Sequence, residues 1–388
     1  RETNQRHEYN VDLATLTIAP TFTNSIYAAA TNGGTTPREI INLGTINLKG
    51  KVKGSGKEAK GTLAVTSEAG VINADVNINQ QGAYNGTITA TEVNIGRIID
   101  DHAWGYCGLS AAIEGNPFDS IGHTATINTT ITPLQYNHYT YSPIHLHGKI
   151  TDKRIDAHAW LDDKNLKLDM EVRYDAGREL PRHELSLQVD SFRPYNLNIT
   201  KKHESAHLSF RMASELVGTN PERMRLNTNI YDLTLKSPYE ENRISQFHLS
   251  ANSLEKEKSL IINSDFMNGY LTGYYKYETL GNSLKQAISR VLPSLFDNKE
   301  ALYSDNNFVF HFNVSNTHAL TKIFELPVII NELSMLQGNC NDAHNLFNLA
   351  GNLKSIEFGK RKYRFIDFST TVGATENHNK IKLVRTPM

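Results

Sequence analysis

Residues 166–174 alternate without a fault: Leu166, Leu168, Met170, Val172 and Tyr174 are interleaved with Lys167, Asp169, Glu171 and Arg173. A helix would scatter those four charges around its circumference. A strand puts all of them on one side and every apolar residue on the other. The same period of two runs through Ile72, Ala74, Val76 and Ile78, through Leu185, Leu187 and Val189, and through Phe308, Phe310, Phe312 and Val314. Further strands are expected over 207–210, 226–235, 244–250 and around 260–266. Turn residues separate the runs: Gly82, Gly86, Gly148 and the stretch Asp162-Asp163-Lys164-Asn165. Close turns connect antiparallel neighbours, whereas parallel ones need long crossovers, so the spacing predicts successive hairpins. The segment 190–197 reads as a turn or one short helical turn.

Helical spacing is confined mainly to two places. Leu280, Leu284, Ala287, Ile288, Val291, Leu292 and Leu295 recur every three or four residues, with Lys285, Gln286 and Arg290 on the other side. This predicts an amphipathic helix over 277–295, closed by Pro293, serving as a lid for something apolar. Its candidate lid residues are Leu280, Leu284, Ile288, Val291, Leu292 and Leu295. A shorter helix is expected over 318–325, just before Pro327. No propeller, ankyrin or leucine-rich period is visible.

The expected fold is therefore mainly β, an elongated, curled antiparallel sheet with a few short amphipathic helices. Two β regions are expected, 1–205 and 206–388, or else one continuous sheet. A long sheet with one apolar face has to hide it, and the supply of helices is too small to cover every strand. Sandwich packing or a self-curled trough remains. A trough would leave an apolar channel able to hold acyl chains, recognised by burial at about 0.8 kcal/mol per methylene. The candidate groove-lining residues are Ile155, Ala157, Leu166, Leu168, Met170, Val172, Leu185, Leu187 and Val189.

The balance of 40 Lys plus Arg against 41 Asp plus Glu, a formal net charge of -1, is a poor footprint for nucleic-acid binding. The 39% hydrophobic and 21% charged content fits a folded, soluble protein. No window approaches a spanning helix and the first residues lack a signal-peptide pattern. Because Arg1 is not an initiator methionine, the chain is expected to be a processed or trimmed piece. Cys107 and Cys340 share no local motif; reduced thiols and a disulfide are both open.

Catalytic and metal chemistry find little support. His145 and His147 share a strand face, as sheet metal ligands do, with His102, His138 and His158 nearby in sequence, but solvated or locally bonded histidines on the polar side of the sheet are the expected reading. Asp100-Asp101-His102-Ala103-Trp104 is echoed by Asp156-Ala157-His158-Ala159-Trp160, without a nucleophile. The echo reads as a preference for placing one Trp near a sheet edge. Gly54-Ser55-Gly56 lies among Lys49, Lys51, Lys53, Lys57 and Lys60. A phosphate loop would need a helix after the glycines, and residues 61–65 read as a strand. The glycines are expected to make a hairpin turn and the lysines to protect an exposed sheet edge, with phosphate or lipid-headgroup contact as the alternative. HExxH, Gly-x-Ser-x-Gly, Walker, CxxC and EF-hand patterns are missing, and no carboxylate pair stands out for glycoside hydrolysis. No catalytic residue, metal or cofactor is expected.

Several phrases resemble a known family. The segments 41–50 (INLGTINLKG), 91–99 (TEVNIGRII), 139–150 (YTYSPIHLHGKI) and 185–197, and the helix ending Val291-Leu292-Pro293-Ser294-Leu295, look like the repeating phrases of TamB and AsmA-like proteins. The richness in Asn, Thr and Tyr is similar to that of long TamB homologues of Bacteroidetes. The resemblance implies an internal piece of a longer envelope protein, anchored at the inner membrane and extending through the periplasm. It further implies a β-taco or groove-shaped bridge that moves phospholipid or other acyl-chain lipid toward the outer membrane, with a possible link to outer-membrane assembly partners. The family carries no catalytic residues. Two other classes stand beside it: a carbohydrate-binding or adhesion β protein with an exposed aromatic platform at Trp104 or Trp160, and a hydrolase on a β scaffold, which would need clustered polar groups in a cleft.

Overall fold

The computed structural model describes residues 8–119, 122–202, 204–283, 305–358, 361–372 and 377–385. It is mainly β, with 65% strand and 11% helix, and its pairing is antiparallel and not closed into a barrel, the class the alternation predicts. Two compact units divide the chain, residues 1–177 with 189–205 and residues 178–188 with 206–388.

The first unit contains β1 (Glu8–Ile18), β2 (Ile46–Ser55), β3 (Glu58–Ser67), β4 (Gly70–Ile78), β5 (Tyr84–Asn94), β6 (Trp104–Asp119), β7 (Gly122–Tyr136), β8 (Tyr139–Tyr141), β9 (Ile144–Thr151), β10 (Arg154–Asp162) and β11 (Leu166–Asp175). Each of β1 to β6 pairs with the strand that follows it. β7 then pairs with both β8 and β9, and β9, β10 and β11 complete the meander. Register is set by tight turns. Ser55 faces Glu58 across Gly56 and Lys57, and Gly56 takes φ 65°, a left-handed conformation that suits glycine at the first turn position. β12 (Arg182–Phe192) runs from one unit into the other.

The second unit contains β13 (His207–Asn220), β14 (Arg223–Lys236), β15 (Glu241–Asn252), β16 (Lys258–Ser264), β17 (Met267–Tyr274), β18 (Asn307–Val314), β19 (Val328–Ile330), β20 (Ser334–Asn341), β21 (Leu346–Phe358), β22 (Arg361–Val372) and β23 (Asn377–Arg385). From β13 to β18 each strand pairs with its successor. β18 then pairs with β20, β19 adds to β21, and β20 to β23 continue in order.

The core of the second unit is aromatic. Leu271, Tyr275, Phe308, Phe310, Cys340 and Phe347 form one buried cluster, with Leu260, Tyr277, Leu280, Phe312, Leu336 and Leu349 packed around it. Residues 277–283 are helical, and Leu280 rests on this cluster. The start of that helix is fixed by Asn306, whose Oδ1 accepts from the backbone of Lys276 at 2.9 Å and whose Nδ2 donates to Ser283 Oγ at 2.6 Å. Leu284, Ile288, Val291, Leu292 and Leu295 lie outside the described residues. The shorter helix forms over His318–Phe324.

Three helical pieces depart from the expectation. Pro20–Ala30 is a helix opened by proline at its first position, where the missing N–H costs nothing, and extended by three alanines. It has no apolar stripe aimed at a core: only Thr23 is buried, while Phe22 and Ile26 are exposed. Arg38–Ile41 is a single turn. Ile95–Ile99 is a short helix inside the phrase 91–99, where the sequence predicts no helix; pairing stops at Asn94, whose side chain accepts from Arg97 N at 2.8 Å and caps the turn.

Two further expectations are corrected. β2 is not an edge, because β1 pairs along one side of it and β3 along the other, so Lys49, Lys51 and Lys53 guard no free backbone. Trp160 is not at an edge either: β10 is paired on both sides, with Trp160 opposite His145 and Asp169.

Candidate functional site

The registers of the first unit bring the apolar alternations of ten strands into common rows. Reading across β1 to β7 and then β9 to β11, directly opposed residues are Leu16, Leu48, Val65, Ile72, Ala90, Leu109, Ile131, Ile144, Leu161 and Leu168. Every member is aliphatic. Opposed residues of a ladder share a face, so this is a continuous transverse stripe. The adjacent row runs through Leu13, Gly50, Leu63, Ala74, Ile88, Ala111, Thr129, Leu146, Ala159 and Met170. A third includes Val52, Gly61, Val76, Gly86, Ile113, Ile127, Gly148, Ala157 and Val172. At about 4.8 Å per strand the stripe spans roughly 43 Å across ten strands.

The first row is built mainly of large residues, whereas small ones recur in the second at Gly50, Ala74, Ala111 and Ala159 and in the third at Gly61, Gly86 and Gly148. A Cβ placed on Gly61 would meet Val52 Cγ2 at 3.3 Å, and one on Gly148 would meet Ile127 Cγ2 at 3.1 Å. The larger neighbours thus lean over the glycines.

This face is incompletely covered. Leu16 is 45% exposed, Val52 39%, Leu63 43%, Ile72 41% and Ile155 38%, whereas Ala111, Ala159 and Leu161 are buried. Contiguous apolar surface of this extent marks a binding surface more often than a surface meant for water.

The groove residues expected from the sequence take these places. Leu166, Leu168, Met170 and Val172 are half-buried on the apolar face, and Lys167, Asp169 and Glu171 are exposed on the other. Ala157 faces Val172, Ala159 faces Met170 and Ile155 faces Tyr174. Val189 is buried and belongs to the first unit; Leu185 and Leu187, half-buried, belong to the second. The members contributed by β1 to β9 were missing from that expectation. Their alternation is readable strand by strand, but only the hairpin registers put them in line.

The opposite face is polar. His145 and His158 both stack with the Trp160 ring, with centroid separations of 5.1 and 4.9 Å. His158 Nε2 lies 3.0 Å from both carboxylate oxygens of Asp169, and Asn128 Oδ1 is 2.6 Å from His147 Nδ1. The two Asp-His-Ala-Trp echoes therefore do different work. His158 is served by a carboxylate on the neighbouring strand, while Asp101 turns back to accept from the backbone of Ala103 at 2.9 Å. Among the described residues no group of three His, Cys, Asp or Glu side chains is arranged to hold a metal ion. No described helix is long and apolar enough to cross a membrane. Cys107 and Cys340 are not joined in a disulfide; Cys340 donates to Asp342 Oδ1 at 3.2 Å, and burial pushes the Cys107 pKa up.

One end of the apolar face is fastened by a buried carboxylate. Asp163, in the turn before β11, accepts from Tyr139 Oη at 2.6 Å, from Asn165 N at 2.8 Å, and from both N and Oγ of Ser142 at 2.9 Å. Burial alone would raise its pKa; these donors outweigh burial and hold it below the ordinary carboxylate value. Burial and the bond to Asp163 push Tyr139 up to about 12. Asn196 donates to Asn165 at 3.0 Å, tying in the following turn, where Leu197 is fully buried.

No family model, curated protein or solved structure matches the chain.

Proposed function

We propose that the chain is a non-catalytic groove segment of a periplasmic bridge, which shields phospholipid acyl chains during transport between the inner and outer membranes. The observation that carries this reading is the all-aliphatic stripe crossing ten strands of the first unit, with Leu16 and Ile72 still 45% and 41% exposed. Acyl chains offer no polar handle, so a receptor for them works by removing methylenes from water, at about 0.8 kcal/mol each, while keeping room for the chain to slide. The stripe has one near-apolar exception in its adjacent row, Thr129, and charges only on the opposite face. The resemblance to TamB and AsmA-like phrases supplies the compartment, an inner-membrane anchor on the parent protein and a possible outer-membrane assembly partner.

The adhesion reading fits less well. Trp160 is stacked with two imidazoles and Trp104 packs against Tyr136 at 4.8 Å, so both indoles are already engaged by aromatic partners. A hydrolase would need a nucleophile or second acid near the His158–Asp169 pair, and both partners are well exposed.

A photo-crosslinker at Met170 tests the proposal. It is expected to capture co-purifying phospholipid, identified by mass spectrometry, while the same probe at Lys167, three residues away on the polar face, captures little. Equal yields at the two positions, or no lipid at Met170 in folded protein, would reject the conduit.

A further inference from the structure

Lys49, Lys51 and Lys53 guard no edge because the free backbone lies one strand further out. Among the described residues β1 pairs with β2 alone, in a sheet that does not close. Its outer side presents backbone N–H and C=O groups without ladder partners, and such a row recruits another strand. Sheet proteins blunt an edge with lysine, proline or a covering element. β1, EYNVDLATLTI, has no lysine, arginine or proline, and only Leu13 and Ile18 are even half-buried. β23, which pairs with β22 alone among the described residues, carries Lys380, Lys382 and Arg385 within nine residues. One free edge is guarded by its composition and the other is open.

The pattern of β1 says what fits it. Tyr9, Val11 and Leu13 extend the apolar rows, opposite Gly54, Val52 and Gly50, while Asn10 and Asp12 lie on the polar face. Ala14 and Thr15 then share Lys49 as a partner, a bulge that ends the regular ladder. Within that regular stretch Val11 is 57% exposed. An incoming strand must be short, apolar at alternate positions and free of acids opposite Glu8 and Asp12.

β1 of a second copy meets these conditions. A twofold axis normal to the sheet sets the two strands antiparallel and keeps both apolar faces on the same side. Centred on Val11, it opposes Val11 to itself, Tyr9 to Leu13 and Asn10 to Asp12, so that an amide faces each carboxylate. Asp12 is already ion-paired to Lys51 at 3.1 Å, which offsets the diagonal approach of the two carboxylates. Centring on Asn10 would oppose Asp12 to Glu8, centring on Asp12 would oppose that carboxylate to its own copy, and centring on Leu13 would run into the bulge. We propose that the chain forms a symmetric dimer through antiparallel β1–β1 pairing about an axis at Val11, which joins two apolar stripes into one surface. The pairing does not depend on the acyl-chain reading.

Sedimentation equilibrium of the whole chain tests it. A ladder this short makes a modest interface, so a concentration-dependent equilibrium between monomer and dimer is expected. Val11→Lys opposes two ammonium groups at the axis and is expected to abolish the dimer with an unchanged circular dichroism spectrum. Should that variant fail to fold, a pair of cysteine variants decides. Val11→Cys is expected to give covalent dimer with a short bismaleimide, above the level that Cys107 and Cys340 give in the parent. Leu16→Cys, set far from its counterpart by the same axis, is expected to stay at the parent level. A monomer at every concentration, a dimer that Val11→Lys retains, or crosslinking at Leu16 as strong as at Val11 overturns the proposal. So do open-ended oligomers, which would mean that β1 meets β23 of the next copy. A monomer that still captures lipid at Met170 would leave the conduit standing, and a dimer without lipid there would leave the pairing standing.

Discussion

The two units use the same period-two strands to opposite ends. In the second, the aligned row Leu260, Leu271, Phe310, Gly338 and Leu349 is packed shut by aromatic rings: Phe310 is 7% exposed and its neighbour Phe308 is 1% exposed. Glycines there lie under aromatics. A Cβ on Gly269 would meet Phe312 Cδ1 and His311 O at 2.3 Å, and one on Gly338 would meet Phe310 Cζ at 2.7 Å. The helical residues 277–283 add Leu280 to this cluster. Even the cation at its margin is enclosed: Lys258 is 8% exposed, ion-paired to Glu222, with Tyr275 and Tyr277 ring centroids 5.6 and 5.3 Å from its Nζ. In the first unit the corresponding rows are aliphatic and small, and many of their large members stay well exposed. Binary pattern alone therefore decides that a sheet forms. Residue size and a covering element decide whether its apolar face becomes a core or a surface.

The largest expected effect is the gap between one deletion in each unit. Phe308→Ala should cost about 3–5 kcal/mol, the usual penalty for emptying a packed aromatic site. Leu63→Ala, at 43% exposure, should cost less than about 1 kcal/mol. Hydrogen exchange resolved by strand measures both. Similar losses of protection around β18 and β3 would break the comparison and give the first unit an ordinary core.

That contrast was only partly legible in the sequence. Alternation at 166–174 and 308–314 is strong enough to fix strands and faces, because charges recur at every second position in the first and phenylalanines in the second. What escaped was alignment between strands. Leu48 and Ile131 become members of one stripe only through a chain of hairpin registers, and a slip of one residue would turn either to the other face. The lysines of β2 were misread for the same reason: β1 is separated from β2 by the helices at Pro20–Ala30 and Arg38–Ile41, so its return to pair is not a local signal. The Pro20–Ala30 helix is set by proline and alanine preferences and not by an apolar stripe. Asp163 was visible only as a turn residue, since its donors come from Tyr139 and Ser142, over twenty positions away.

A middle-sized effect should come from pH and should be confined to the first unit. Asp163 has a folded pKa below its unfolded value, so its contribution is present above about pH 4 and is lost as pH falls through the folded value. Tyr139 has a folded pKa raised to about 12, so its contribution is full below about pH 10 and fades as pH rises toward 12. Asp163→Asn replaces a pure acceptor by a group that turns N–H donors toward existing donors, and should cost about 2–3 kcal/mol near neutral pH. Its denaturant midpoint should also lose much of the acid-side slope of the parent. A parent and variant with the same pH dependence from 2 to 7 would show that other carboxylates govern acid stability.

The smallest effect discriminates most sharply between an open face and a closed one. Adding a methyl group to a packed interior costs typically about 1–3 kcal/mol, because surrounding side chains leave their rotamers to make room. At Gly269 the added atom would strike backbone and ring at 2.3 Å, so Gly269→Ala should reach or exceed the top of that range. At Gly61 the nearest obstacle is the tip of Val52, a side chain 39% exposed at 3.3 Å, which has solvent to move into. Gly61→Ala also removes the entropic penalty of glycine in a strand, about 0.5–1 kcal/mol in the opposite direction. The two contributions nearly cancel, and the denaturant midpoint should shift by less than about 0.5 kcal/mol of equivalent stability. A loss at Gly61 as large as that at Gly269 would mean that Val52 has nowhere to go, and the stripe beneath it would then be the inside of a closed core with no room for a sliding chain.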